Sequence, residues 1–237
     1  MNIALNRIAT GAPREPRTRV EETFNAIRAD IINGELSPSS RLAVDRLKDR
    51  YGVGASTIRE ALSLLISDAL VTAEGQRGFA VAPMSVEDLA DLSETRILLE
   101  THALRQSIER GDDEWEANIV ASYHRLSKAQ ERLDTGDADA MAEWEERNRE
   151  FHAALVAAAG SRWVGHVLAM LHHHTERYRR ASLIDRSVQR DVSAEHAEIV
   201  DATLSRDPER ASAALDRHIR RTAEVVEAVT SARRENI

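Results

Sequence analysis

The spacing of apolar residues changes once between Val20 and Ala82, and that change restricts what the first third of the chain can fold into. Val20, Phe24, Ile27, Ile31 and Ile32 recur at helical intervals, and Gly34 stops the helix they define. Leu36-Ser37-Pro38-Ser39-Ser40 is a turn cluster. A short helix follows from Val44 to Tyr51 and ends at Gly52. A third, from Ala55 to Asp68, places Ile58, Leu62, Leu65 and Ile66 on one face, with Ser56 and Thr57 near its start as caps. The period then shortens. Val71-Thr72-Ala73 and Phe79-Ala80-Val81 are β-like runs on either side of Glu74-Gly75-Gln76-Arg77-Gly78, a turn with two glycines.

Helix, helix, turn, helix and hairpin is the order of a winged helix-turn-helix, and Pro83 closes it. Everything beyond reads as helix. Ser85 caps a helix over 86–110 whose first turn holds Glu87 and Asp88. Further helices are expected over 114–134, 137–159, 161–182, 189–205 and 209–233. Gly111-Asp112-Asp113, Gly136-Asp137, Gly160-Ser161, Asp185 to Ser187 and Asp207-Pro208 separate them. Short connections between six helices predict an antiparallel bundle. The expected chain is mostly α: an N-terminal arm over 1–16, a winged helix-turn-helix over 17–83, and an all-helical domain over 84–237.

Composition narrows the function. The net charge of −8 is unusual for a nucleic-acid binder. The charge is uneven, however: residues 14–83 carry about as many basic as acidic side chains, and the excess acid lies beyond Met84. With no cysteine, disulfide frameworks and thiolate metal sites are excluded. The longest apolar runs, such as Phe151 to Gly160, are far too short for a membrane span, and the N-terminus lacks the apolar core of a secretory signal. A cytoplasmic protein with no membrane partner is expected.

A recognition helix needs small polar residues at the end that meets the bases and apolar residues behind. Val53-Gly54-Ala55-Ser56-Thr57-Ile58-Arg59-Glu60-Ala61-Leu62 has that division, with Ser56, Thr57 and Arg59 outward and Val53, Ile58 and Leu62 inward. Arg59 has the length to reach a guanine or a phosphate. The strings INGELSPSSRL, YGVGASTIREAL, LISDALV and QRGFAV within residues 26–82 closely resemble the GntR-family DNA-binding domain. The resemblance implies a homodimer on double-stranded palindromic operator DNA, with recognition helices in major grooves and wing tips in the minor groove. It marks Arg41, Arg46, Lys48 and Arg50 as phosphate contacts and Gln76, Arg77 and Gly78 as the wing tip. Two residues depart from the family pattern: Ala55 stands where an arginine is usual, and Asp45 near a position that is often basic. Arg14, Arg17 and Arg19 of the arm are candidates to supply the missing phosphate contacts.

The helical half resembles the FCD ligand-binding domain of the FadR-type branch, most strongly in ERNREFHAALVAAAGSRWV at 146–164 and in His196 and His218. That resemblance implies a divalent metal held by Asn148, His152, His196 and His218. The spacing is compatible. Asn148 and His152 share a helix face. His196 and His218 lie at nearly equal distances on either side of Asp207-Pro208, so an antiparallel hairpin places both about 15 Å from its turn. Imidazole donors suit zinc or nickel, and open coordination positions suit a carboxylate effector. Arg96, which matches an arginine common in this domain, either binds that carboxylate or pairs with Glu100 four residues on. His172-His173-His174 diverge by about 100° per residue around a helix, so they cannot form one site together; His174, with Tyr178 a turn later, is the expected pocket lining. Trp115, Trp144 and Trp163 are expected in a core or interface, and His102, His124 and His166 at the surface or in packing.

These features predict a transcription regulator, most simply a repressor, that answers to a small carboxylate. The rivals are a metal-dependent hydrolase using the histidines and an architectural DNA binder without effector. No general base at helical spacing clearly faces the histidines, which counts against the hydrolase.

Overall fold

A computed structural model describes residues 18–73, 75, 78–137, 140–182 and 190–235. The arm over 1–16 and the wing residues Gln76 and Arg77 lie outside them.

The first body is built as its apolar spacing requires. Helix α1 (Arg19–Ile32) starts at Thr18, whose side chain accepts from the Glu21 amide at 3.1 Å. After strand β1 (Arg41–Leu42), α2 (Val44–Tyr51) ends at Gly52 in the left-handed conformation, φ 64°. Helix α3 (Ala55–Ser67) follows, then β2 (Val71–Ala73) and β3 (Phe79–Val81), with sheet order β1-β3-β2, all antiparallel. Ile27, Ile31, Leu47, Ile58, Leu62, Leu65, Leu70 and Val81 form the core behind α3.

Two details differ from the sequence reading. Strand β1 was not expected, because two residues carry no alternation to detect. The N-cap of α3 is Gly54, with no side-chain cap bond, so Ser56 and Thr57 sit inside the first turn and are not caps. Both hydroxyls are thereby left for other partners.

Among the described residues, six helices make the second body: α4 (Val86–Arg110), α5 (Asp113–Asp134), α6 (Ala140–Leu155), α7 (Arg162–Ser182), α8 (Val192–Leu204) and α9 (Pro208–Glu235). Ser85, Asp112 and Asp191 cap α4, α5 and α8 through their side-chain oxygens. The turn between α4 and α5 requires glycine for space: a Cβ on Gly111 would meet the Trp115 ring at 2.1 Å. Trp115 is locked there by a 2.9 Å bond from its indole N–H to the Ala154 carbonyl. Helix α6 is shorter than expected. It gives way to a 3-10 turn over Ala157–Ala159 before Gly160 at φ 79°, and three alanines in a row offer no side-chain pattern to mark that change. Trp115 and Trp144 are buried, whereas Trp163 is 67% exposed at the start of α7.

Candidate nucleic-acid interface and metal centre

At the N-terminal end of α3, Ser56 and Arg59 are exposed and Thr57 is half-buried, while Ile58 and Leu62 are fully buried beneath. The helix therefore offers its polar edge outward for a simple reason: the apolar edge is the core. Arg41 on β1 and Arg46 on α2 are exposed too, and neither they nor Arg59 makes an ion pair among the described residues. Lys48 and Arg50 differ. Lys48 lies 3.3 Å from Asp45, and Arg50 lies 2.6 Å from Asp30 and over the Tyr51 ring. Their charge is partly spent within the module, so each would have to trade a carboxylate for a phosphate.

In the bundle, α6 carries Asn148 and His152 one turn apart, α8 carries His196, and α9 carries His218. All four are buried. Antiparallel α8 and α9 bring the His196 and His218 rings to 4.7 Å, and the His152 ring lies 6.0 Å and 5.3 Å from them. One ring nitrogen from each lies within 4.8 Å of the others. Burial holds all three imidazoles below their usual pKa, so they are neutral, the form that binds metal.

Two carboxylates orient these rings. Glu100 on α4 accepts from His152 Nδ1 at 3.2 Å, and Glu195 on α8 accepts from His218 Nδ1 at 2.9 Å. A neutral ring that donates from Nδ1 has its lone pair on Nε2, so both bonds fix the free nitrogen of their histidine. Each carboxylate is itself held by an arginine: Arg96 Nε lies 2.7 Å from Glu100, and Arg190 makes two bonds of 2.9 and 2.5 Å to Glu195. Burial alone would raise the Glu100 carboxyl, but Arg96, with His172 and His152, holds it well below the usual carboxylate range.

Two buried polar atoms on these residues lack any hydrogen-bond partner: Asn148 Oδ1 and His196 Nε2. Such atoms cost free energy when buried unpaired. A bare amide oxygen and a bare imidazole nitrogen beside two oriented imidazoles form a donor set that fits a divalent transition metal.

The structure places Arg96 on Glu100 and, through Nη1, on Thr175 Oγ1 at 3.3 Å. It thus supports the carboxylate behind His152. His172, and not His174, turns toward this region, with Nε2 3.5 Å from Glu100. His174 Nε2 instead meets the Asp68 carbonyl at 2.8 Å, and the Tyr178 hydroxyl meets the Ser85 amide and the Asp88 carboxylate. His174 thus faces the first body, while Tyr178 holds the start of α4 within the second. His102, His124 and His166 are exposed. Sequence reasoning missed Glu100 and Glu195 as partners of the histidines. Glu195 had one weak signal, its place directly before His196. Glu100 had only its i, i+4 relation to Arg96.

Residues 19–81 match the family model described as bacterial regulatory proteins, gntR family, and residues 91–221 match the FCD domain. The HTH-type transcriptional regulator BphR of Paraburkholderia xenovorans (strain LB400) is 47% identical over 210 residues, 89% of this chain and 86% of that protein. The HTH-type transcriptional repressor GlaR of Escherichia coli (strain K12) is 35% identical over 202 residues, covering 83% of this chain and 90% of that one. Among solved structures, E. coli McbR/YncC shares the fold with a TM-score of 0.73 at 18% identity, over 89% of this chain and 98% of the other.

Proposed function

Because this chain belongs to the gntR family of bacterial regulatory proteins and carries an FCD domain, we propose that it is a homodimeric, operator-binding repressor controlled from the histidine cluster. Its relatives are named as transcriptional regulators, and two of them as repressors. A divalent transition metal, zinc or nickel, held by Asn148, His152, His196 and His218 would present open coordination positions to a small carboxylate. The observation that carries this reading is the paired orientation of His152 by Glu100 and His218 by Glu195, beside the unpartnered Asn148 Oδ1 and His196 Nε2. A core histidine that serves packing alone needs one satisfied nitrogen. Three neutral rings aimed inward at one level need something to aim at.

On the DNA side, Ser56, Thr57 and Arg59 read the major groove, and Arg41, Arg46, Lys48 and Arg50 contact phosphates. Gln76, Arg77 and Gly78 would contact the minor groove. Acid binding beside the metal favours one of two arrangements of the DNA modules, and only its differential affinity for the two can shift operator binding. Hydrolysis is the weaker reading, since both carboxylates near the cluster are already engaged by an arginine and a histidine.

The test begins by selecting a binding site from random duplex DNA with the full chain. Fluorescence anisotropy then compares the selected duplex with zinc, with chelator, and with zinc plus candidate mono- and dicarboxylates. We expect a change in Kd of about tenfold or more that disappears in His152→Ala. Equal affinity under all conditions contradicts control from this site.

A further inference from the structure

Helix α7 touches both bodies with neighbouring residues. On one face, His172 lies 3.5 Å from Glu100, Thr175 accepts from Arg96 at 3.3 Å, and Arg179 makes bonds of 2.9 and 2.6 Å to Glu145. On the other, His174 Nε2 donates to the carbonyl of Asp68 at 2.8 Å, and Arg177 Nη2 donates to the carbonyl of Ala82. A carbonyl can only accept, so His174 carries a proton on Nε2.

The two acceptors are well chosen. Asp68 is the C-cap of α3, and the last carbonyls of a helix have no partner within it. Ala82 directly follows β3, and its amide donates to Leu70 at 3.0 Å. Two side chains one turn apart on α7 therefore hold the far end of the recognition helix and the root of the wing.

The seam is not a sealed apolar contact. Beside it, between α1 and helices α6 and α7, lies a cleft of about 280 Å³ with Arg28, Arg149, His173, Glu176 and Arg180 among its lining residues. Arg177 itself is only 4% exposed, its Nε has no partner, and it makes no ion pair among the described residues. Burial disfavours the Arg177 guanidinium, and Tyr178 and Asp88 nearby only partly offset that cost. The seated arrangement is thus held by two directional bonds against an opposing bias, which suits an element with two positions.

We infer that His174 and Arg177 are positioning residues that latch the DNA module onto α7. Through the other face of that helix, His172 and Thr175, the state of the Glu100–His152 region sets whether the latch is closed. The second half of this statement rests on the metal reading above; the first does not.

Hydrogen-exchange mass spectrometry on the full chain separates the two. Without metal, the double variant His174→Ala/Arg177→Met should exchange about five- to tenfold faster over 66–72 and 80–84, the change expected from losing two hydrogen bonds. A control region in the bundle core, 115–129, should not change. His174→Asn alone should give a smaller increase in the same segments and serves if the double variant does not fold. In the wild-type chain one equivalent of zinc should alter exchange over 66–72 and 80–84 by about fivefold. The double variant should still take up zinc but lose that response. Unchanged exchange in both latch variants overturns the latch. Zinc binding without a response in the wild-type chain, or a response that survives in the double variant, overturns the coupling. Failure of the wild-type chain to bind zinc overturns the metal reading, while the metal-free comparison still decides the latch.

Discussion

The two bodies bury different things. Among the described residues of the DNA module, the buried set is apolar except for Thr23. The bundle buries Arg96, Glu100, Glu145, Asn148, His152, His172, His196 and His218. A well-packed apolar core of equal volume is often as stable as a buried ion pair, or more so. The first body therefore shows what this chain does when only shape matters, and the second shows where it gives up packing for chemistry. That contrast points to the proposed sensing site better than any single residue does.

Mutations can break the contrast, and the largest effect is expected at Glu100. Glu100→Ala strands the Arg96 guanidinium, which is 3% exposed, and should cost about 3–5 kcal/mol in urea denaturation. Replacing both partners, Arg96→Met with Glu100→Leu, should recover most of that loss while metal affinity stays impaired. If the double change is no more stable than the single one, the pair is structural and the contrast fails. In the DNA module, Leu62→Ala should cost about 3 kcal/mol, as for an ordinary core cavity, with no effect on metal binding.

The next effect is on pH dependence. His173 titrates at about 4, because burial, aided by Arg28 and Arg149 and opposed by Glu176, disfavours its charged form. The unfolded chain takes up that proton near 6.5. Between those values the unfolded state binds more protons, so stability falls as pH drops from about 6.5 to about 4, by up to about 1.4 kcal/mol per pH unit for this group. His152, His172, His196 and His218 are shifted the same way by burial and steepen the fall. Thermal melts across this range check it; a flat profile contradicts neutral buried imidazoles. The smallest effect is at the surface. Arg59→Ala should leave the melting temperature within a degree or two yet weaken operator binding by about 1–3 kcal/mol.

How much the sequence disclosed follows the same division. The DNA module was legible because its signals are local: the isoleucines of α1, Gly52 after α2 and the two-glycine turn each act within a few residues. Strand β1, two residues long, escaped, and Ser56 and Thr57 were misplaced as caps of α3. In the bundle, the helices were legible from capping residues and glycines, apart from the early end of α6, and equal counting from Asp207-Pro208 brought His196 and His218 level. Glu100 was hidden as a partner of His152 because 52 residues separate them, and only tertiary packing unites α4 with α6. The choice between His172 and His174 was hidden for a related reason. Each step around a helix turns by about 100°, and no sequence pattern states which sector meets α4.

Metal uptake is the most direct measure of whether the histidine cluster is a binding site. Zinc and nickel titrations of the full chain against a chromophoric chelator should give one ion per chain. His152→Ala should abolish stoichiometric uptake, and Glu195→Gln should weaken affinity by about 10- to 100-fold through loss of ring orientation. A chain that takes up no ion, or a His152→Ala variant that binds as the wild-type chain does, would contradict the account.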